Sequence, residues 1–203
     1  MDPIPDPSVR TSSIARKIPI TWLLPKKDGA VPMTVEIREA AYEDAETIAT
    51  IHVASWQAAY PAILPERFLK NLSIAARTVS WQNQLRSGQS RVLMGRVDEA
   101  VAGWVAFGAC RDDDKDGNWG EVMAIYLLQA YWGRGIGARL VDAARHALRD
   151  AGYSHAGLWV LAENPLARAF YERIGFRYDD LSKAMQIGGV PLTEMRYVCA
   201  LTD

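Results

Sequence analysis

Cysteine is scarce: the 203 residues hold two, Cys110 and Cys199, in apolar, strand-like runs. Neither their number nor their spacing fits a disulfide framework or a zinc site, so two reduced thiols in a cytoplasmic protein are expected. A basic surplus is lacking as well, because 23 Lys and Arg stand against 24 Asp and Glu for a formal net charge of −1. Nucleic-acid binding is therefore not expected. Long apolar runs are missing too. The longest near the start, residues 18–25, is broken by Pro19 and Pro25 and falls far short of the ~20 residues that span a bilayer. With no small-residue cleavage site after it, neither a membrane span nor a signal peptide is expected. What remains is 49% apolar and 23% charged, the balance of an ordinary folded chain whose length suits one domain.

Residues 1–32 carry six of the ten prolines and no sustained apolar period, which reads as a poorly ordered tail ahead of a domain over residues 33–203. Apolar residues then recur at helical spacing over 42–60 (Ala45, Ile48, Ala49, Val53, Trp56) until Pro61 and Pro65 interrupt them. His52 lies on that apolar face, where a packed histidine is the simpler reading than a base. Further helices are expected over 65–69 and 74–86, and strands over 91–97 and 101–110 joined as a hairpin at Asp98-Glu99. The aspartate-rich run 111–118 lacks the closing glutamate and flanking helices of a calcium loop. It reads as a solvated hairpin loop, with no metal site.

The informative stretch begins at 119. An apolar strand containing Glu121 runs into Gly133-Arg134-Gly135-Ile136-Gly137 and a helix over 138–150. Strand, glycine-rich turn and helix make an anion site: the first N–H groups of a helix point outward at its positive dipole end, and glycine lets a phosphate approach the backbone. A strand over 156–161 completes a βαβ unit, and Asn164-Pro165 opens another helix. Gly133, Gly135 and Ala138 also satisfy the dinucleotide pattern G-x-G-x-x-A, with Glu163 as a conceivable ribose partner. Against a dinucleotide oxidoreductase, the unit stands alone behind hairpin strands instead of repeating to build a wide parallel sheet.

Three segments together are more specific. Glu121-Val122-Met123-Ala124-Ile125-Tyr126-Leu127, then Gly133 to Ala138, then Asn164-Pro165-Leu166-Ala167-Arg168-Ala169-Phe170-Tyr171 through Phe176 resemble, in order and separation, the acetyl-coenzyme A motifs of the GNAT superfamily of N-acetyltransferases. Residues 51–60 with Leu64-Pro65-Glu66 resemble the first helices of its small bacterial members. The resemblance covers about residues 34–200. It implies an α/β fold with a mixed, mostly antiparallel sheet flanked by helices and one βαβ cofactor unit. Trp132 departs from the glutamine or arginine that usually opens the family's phosphate loop.

The same resemblance assigns roles. Main-chain groups of Ile125 and Leu127 would pair with the pantetheine arm of acetyl-coenzyme A, and Gly133, Arg134, Gly135, Ile136, Gly137 and Ala138 would cradle its pyrophosphate. Asn164 would stand near the pantetheine, and Tyr171 would protonate the departing thiolate. Glu121 is the candidate base, directly or through water; its bland reading is an edge-strand glutamate facing solvent. Trp56, Tyr60 and Trp159 would line the pocket of a small-molecule or peptide amine, although aromatics at such spacing are commonly core. A C-terminal hairpin over 182–201, turning at Gly188-Gly189, is of the kind that pairs across a homodimer in this family. A module that binds acyl-coenzyme A without turnover is the other reading of the same motifs, with the presence of both Glu121 and Tyr171 against it.

Overall fold

The computed structural model describes residues 20–23 and 34–201. Its strands are β1 (Ile20–Leu23), β2 (Thr34–Glu39), β3 (Arg91–Val97), β4 (Ala100–Ala109), β5 (Trp119–Leu127), β6 (His155–Leu161), β7 (Arg177–Ile187) and β8 (Val190–Ala200). Its helices are α1 (Ala45–Ala59), α2 (Glu66–Lys70), α3 (Ile74–Ser87), α4 (Ile136–Asp150) and α5 (Pro165–Arg173). Among the described residues the strands form one sheet in the order β1-β2-β3-β4-β5-β6-β8-β7. Every neighbouring pair is antiparallel except β5 with β6, which α4 joins. This is the expected mixed α/β architecture.

Local chemistry sets the helix ends. Ser73 caps α3 by accepting from the Ala76 N–H at 3.2 Å, and Gly88 at φ +65° stops it in the left-handed region. Asn164 caps α5 in the same way at 3.0 Å, with Pro165 in the first turn, where its missing N–H costs nothing. One face of the sheet packs on α4 and Phe176, with Ile136, Leu140, Val141 and Leu148 meeting Val105, Val122 and Leu158. The other face packs on α1 and α3, with Ile48, Ile51 and Trp81 against Met94 and Trp104. Burying each such side chain contributes roughly 1.5–3 kcal/mol. Close approach of α4 depends on Gly120, where a Cβ would stand 2.7 Å from Leu148.

Three elements differ from the sequence reading. Ile20–Leu23, inside the proline-rich segment read as a tail, is a strand paired with Thr34–Ile37; its run is too short for periodicity to reveal. The rest of residues 1–32 lies outside the described residues. β7 begins at Arg177, five residues before 182, because Asp180 takes φ +62° and the register with β8 shifts between Tyr178 and Ser182, which breaks the alternation. The loop after β4 is not merely solvated. Its Asp112 and Asp114 both bind the guanidinium of Arg196 on β8, at 3.1 and 2.6 Å, so it is clamped onto the sheet. Both cysteines are free, as expected, and burial pushes both thiols up.

Candidate active site

The parallel pair is the fold's weak seam. β5 and β6 are in register only from Trp119–Glu121 to His155–Gly157; beyond that, β5 follows β4 through a bulge while β6 follows β8. Leu128 donates its N–H to Ala102 on the β4 side at 2.9 Å. By alternation, the main-chain groups of Ile125 and Leu127 face the opened side, where β6 has left. The Leu127 carbonyl already accepts from the Ser55 hydroxyl at 2.8 Å and the Trp132 indole N–H at 2.9 Å. Pairing expected of Leu127 therefore narrows to its N–H.

That free edge leads into the glycine turn. Gly133 and Gly135 take φ of +70° and +78°, which side chains resist. α4 starts at Ile136, two residues earlier than the sequence suggested, because Gly135 serves as its cap. The first intrahelical donor onto that cap is Arg139, at 3.3 Å from the Gly135 oxygen. The N–H groups of Ile136, Gly137 and Ala138 thus belong to the first turn, which has no intrahelical acceptors, the kind of arrangement that can hold an anion. Ile136 contributes its main chain only, since its side chain is core. A Cβ at Gly137 would meet Phe170 at 3.4 Å and Leu127 at 3.5 Å, so the helix start is packed against α5 and β5. A Cβ at Gly133 would meet nothing within 4 Å, which leaves room beside the turn for a ligand phosphate. Arg134 reaches back over Tyr131, 5.8 Å from its ring.

Three tyrosines converge near the seam. Tyr60 closes α1, Tyr126 comes from β5 and Tyr171 from α5. Burial pushes all three phenols up; Tyr60 adds to the rise at Tyr126 and Tyr171, while hydrogen bonding with Asn164 and Tyr126 opposes it at Tyr60. Protonated hydroxyls result, able to donate. Trp56 stands 5.2 Å from Tyr60 and 6.3 Å from Phe68, with Arg77 over its ring at 5.0 Å. Tyr126 was not singled out in the sequence. Lying between Ile125 and Leu127, it points to the other face of the strand, beside α1.

His52 has partners on α3 and β5. It stacks on Tyr126 at 4.6 Å, and its ring nitrogens face two donors, Trp81 Nε1 at 3.4 Å and Arg77 Nη1 at 3.2 Å. A neutral imidazole offers one acceptor nitrogen at a time, and a second proton would remove it. Burial and the nearby Arg77 charge bring its pKa down to about 3.

Glu121 does not face solvent from an edge. It is 3% exposed on the central strand β5. Its carboxylate accepts from Arg111 through Nε at 2.9 Å, Nη2 at 2.5 Å and the main-chain N–H at 3.2 Å. Trp159 lies two positions past the last residue of β6 that pairs with β5, opposite Arg196 on β8, its indole N–H held by Asp112 at 3.0 and 3.2 Å. Among the described residues there is no group of three or more His, Cys, Asp or Glu suited to a metal, and no helix long and apolar enough to cross a membrane.

Comparison with known proteins places the chain among acetyltransferases and supports its fold. Residues 46–176 match the model of the acetyltransferase (GNAT) family. An uncharacterized N-acetyltransferase of Bacillus subtilis, YuaI, is 33% identical over 132 residues, 64% of this chain and 74% of its own length. A spermidine N(1)-acetyltransferase of Thermoplasma acidophilum is 24% identical over 153 residues, 73% of this chain and 91% of its own. In structure, the PaiA N-acetyltransferase of Thermoplasma acidophilum, crystallised with coenzyme A, superposes with a TM-score of 0.62 at 22% identity, over 81% of this chain and 98% of that one.

Proposed function

The chain belongs to the acetyltransferase (GNAT) family, an N-acetyltransferase with acetyl-coenzyme A as co-substrate, and from that premise we propose that it acetylates a primary amine of a small molecule or peptide by direct attack. The observation that carries the reading is the opened β5–β6 seam, whose free main-chain edge at Ile125 and Leu127 leads straight into the Gly133–Gly135 turn. One end suits an amide-rich arm and the other a pyrophosphate. Main-chain pairing of this kind accepts any side chain, which explains why Trp132 can replace the usual polar residue.

In the proposed mechanism a main-chain N–H at Ile125 or Leu127 donates to the thioester oxygen as negative charge grows there. An amine of pKa near 10 is neutral about once in a thousand at pH 7, equivalent to roughly 4 kcal/mol that a base helps recover. Glu121 takes the amine proton, through water, because Arg111 holds its near side. The amine nitrogen forms the amide bond, the carbon–sulfur bond breaks, and Tyr171 passes its proton to the thiolate. Trp56 and Tyr60 line the acceptor pocket, with Tyr60 in electrostatic reach of Tyr171 and hydrogen bonding with Asn164, which stands by the pantetheine arm.

The grip of Arg111 on Glu121 also favours a second reading, a module that binds acyl-coenzyme A without turning over. Two measurements separate these readings from each other and from a dinucleotide enzyme. Coenzyme A should bind in calorimetric titration while nicotinamide dinucleotides do not, and thiol should be released when acetyl-coenzyme A meets an amine panel. Binding without thiol release across the panel would select the module. The family resemblance adds a homodimer, for which light scattering should return twice the chain's mass.

A further inference from the structure

Beyond the seam, an aromatic face and a carboxylate already hold an ammonium ion, and it is the protein's own. Lys183, on the outer strand β7, places Nζ 3.7 Å from the ring centroid of Trp159 and 3.4 Å from a carboxylate oxygen of Glu194 on β8. An aromatic face with a carboxylate at its rim is the arrangement that recognises a cation. We propose that Trp159 and Glu194 form a subsite for a second ammonium group of the acceptor, held in the free protein by Lys183, so that the acceptor is a diamine or polyamine. The proposal rests on the reading of the seam as an amine site.

Four features make the subsite built and not incidental. The Trp159 ring is fixed by its edge, since Asp112 takes its indole N–H at 3.0 Å. Arg196 lies over the same ring at 5.7 Å, farther than Lys183, and is 4% exposed and neutralised by Asp112, Asp114 and Asp179, three carboxylates to one guanidinium. Lys115, 3.7 Å from both Asp114 and Asp179, brings that cluster only to one net negative charge, a field that favours cations over acceptor carboxylates. Lys183 is the replaceable member: its side chain is 49% exposed on a flexible stem, whereas Glu194 is 21% exposed. Glu194 also lies within electrostatic reach of Tyr60, whose phenol it helps to push up. The second ammonium would therefore sit on the same side as the tyrosines where the first is acetylated.

The test compares acceptors that differ at one end: putrescine, butylamine and 4-aminobutyrate, titrated calorimetrically against the protein alone and again with coenzyme A. Putrescine should bind about tenfold tighter than either of the others. Lys183→Ala, which empties the subsite, should tighten putrescine several-fold and leave butylamine unchanged. Trp159→Leu and the conservative Glu194→Gln, both confirmed folded by circular dichroism, should each bring putrescine down to the butylamine level. Equal affinities for putrescine and butylamine, tighter binding of 4-aminobutyrate, or no measurable binding of putrescine overturns the proposal. So does Lys183→Ala weakening putrescine. None of these titrations needs a thioester or turnover, so failure of coenzyme A to bind would count against the acetyltransfer reading alone.

Discussion

Arg111 grips Glu121 from three donors across the mouth of the β4–β5 hairpin, with the guanidinium 65% exposed and the carboxylate 4%. The pair lets a charge stand inside a central strand. Removing one partner from a buried pair is costlier than removing both, because it strands a charge. Arg111→Ala should cost about 3 kcal/mol in urea unfolding, at the lower end for buried pairs because water can reach the lost guanidinium's side. Adding Glu121→Gln to Arg111→Ala should recover part of that loss. An unchanged midpoint for Arg111→Ala would mean that water alone satisfies Glu121.

Glu121→Gln by itself separates base from counter-ion. The neutral amide keeps the shape of the strand and a hydrogen bond to Arg111 but cannot take a proton. If Glu121 is the base, kcat should fall by roughly 10²-fold or more with coenzyme A affinity unaltered. Loss of affinity with kcat preserved would make Glu121 a structural residue of the seam.

Gly135 tests the phosphate cradle. It caps α4 at φ +78°, so any side chain pays roughly 1–2 kcal/mol in backbone strain and intrudes where an anion must meet N–H groups. Gly152, at φ +95° with nothing within 4 Å of a Cβ, carries similar strain in the turn after α4. Gly135→Ala and Gly152→Ala should lower the melting temperature alike, but only the first should weaken coenzyme A, and Gly135→Trp should abolish binding in a folded protein. Equal coenzyme A affinity in the two alanine variants would place the pyrophosphate elsewhere.

What the sequence disclosed follows from what is local. The strand over 91–97, the start of the next apolar strand at 119, the cap at Asn164 and the glycine turn are written in neighbouring residues, and they appear where periodicity and turn chemistry put them. What it hid is long-range. Arg196 meets Asp114 from 82 residues away, and no composition rule links a hairpin aspartate to a strand arginine. Tyr126 was hidden by pleat: the residues on either side of it turn their main chain to the seam, and its own side chain meets α1. The partners of His52 are not legible in the sequence because Arg77 and Trp81 lie on another helix, α3.

His52 makes stability depend on pH in one direction. Its pKa is about 3 in the fold against 6.5 ordinarily, so the fold holds the ring neutral while the unfolded chain binds a proton sooner. The stabilisation is complete above pH 6.5 and declines as pH falls from 6.5 toward 3. His52→Phe keeps the stack on Tyr126 and removes the titration. Between pH 7 and pH 4.5 the parent should lose about 2–3 kcal/mol more unfolding free energy than the variant, at 1.36 kcal/mol per unit below the ordinary value. Parallel stability curves over that range would show that His52 protonates in the fold as it does in the open chain.

Tyr171 carries the sharpest expectation. Its side chain is 8% exposed, 5.1 Å from Phe170 and 6.0 Å from Phe176, and burial together with the Tyr60 phenol keeps its proton on well above neutral pH. A group so held is protonated at neutral pH and so available as a donor, while the same rise makes it a weaker acid than a free phenol. Tyr171→Phe removes one hydroxyl and keeps the ring in the same packing, so fold and coenzyme A affinity should survive. If the hydroxyl protonates the departing thiolate, kcat should fall by the ~10²–10⁴-fold of a lost general acid. A thiolate of pKa near 8.5 leaves unaided more readily than an alkoxide, which puts the expected loss toward the lower end. Tyr126→Phe, the neighbouring phenol on β5, is the control and should act less. A Tyr171→Phe protein that turns over within about twofold of the parent would make Tyr171 a packing residue and hand the acid role to Tyr60, Tyr126 or water.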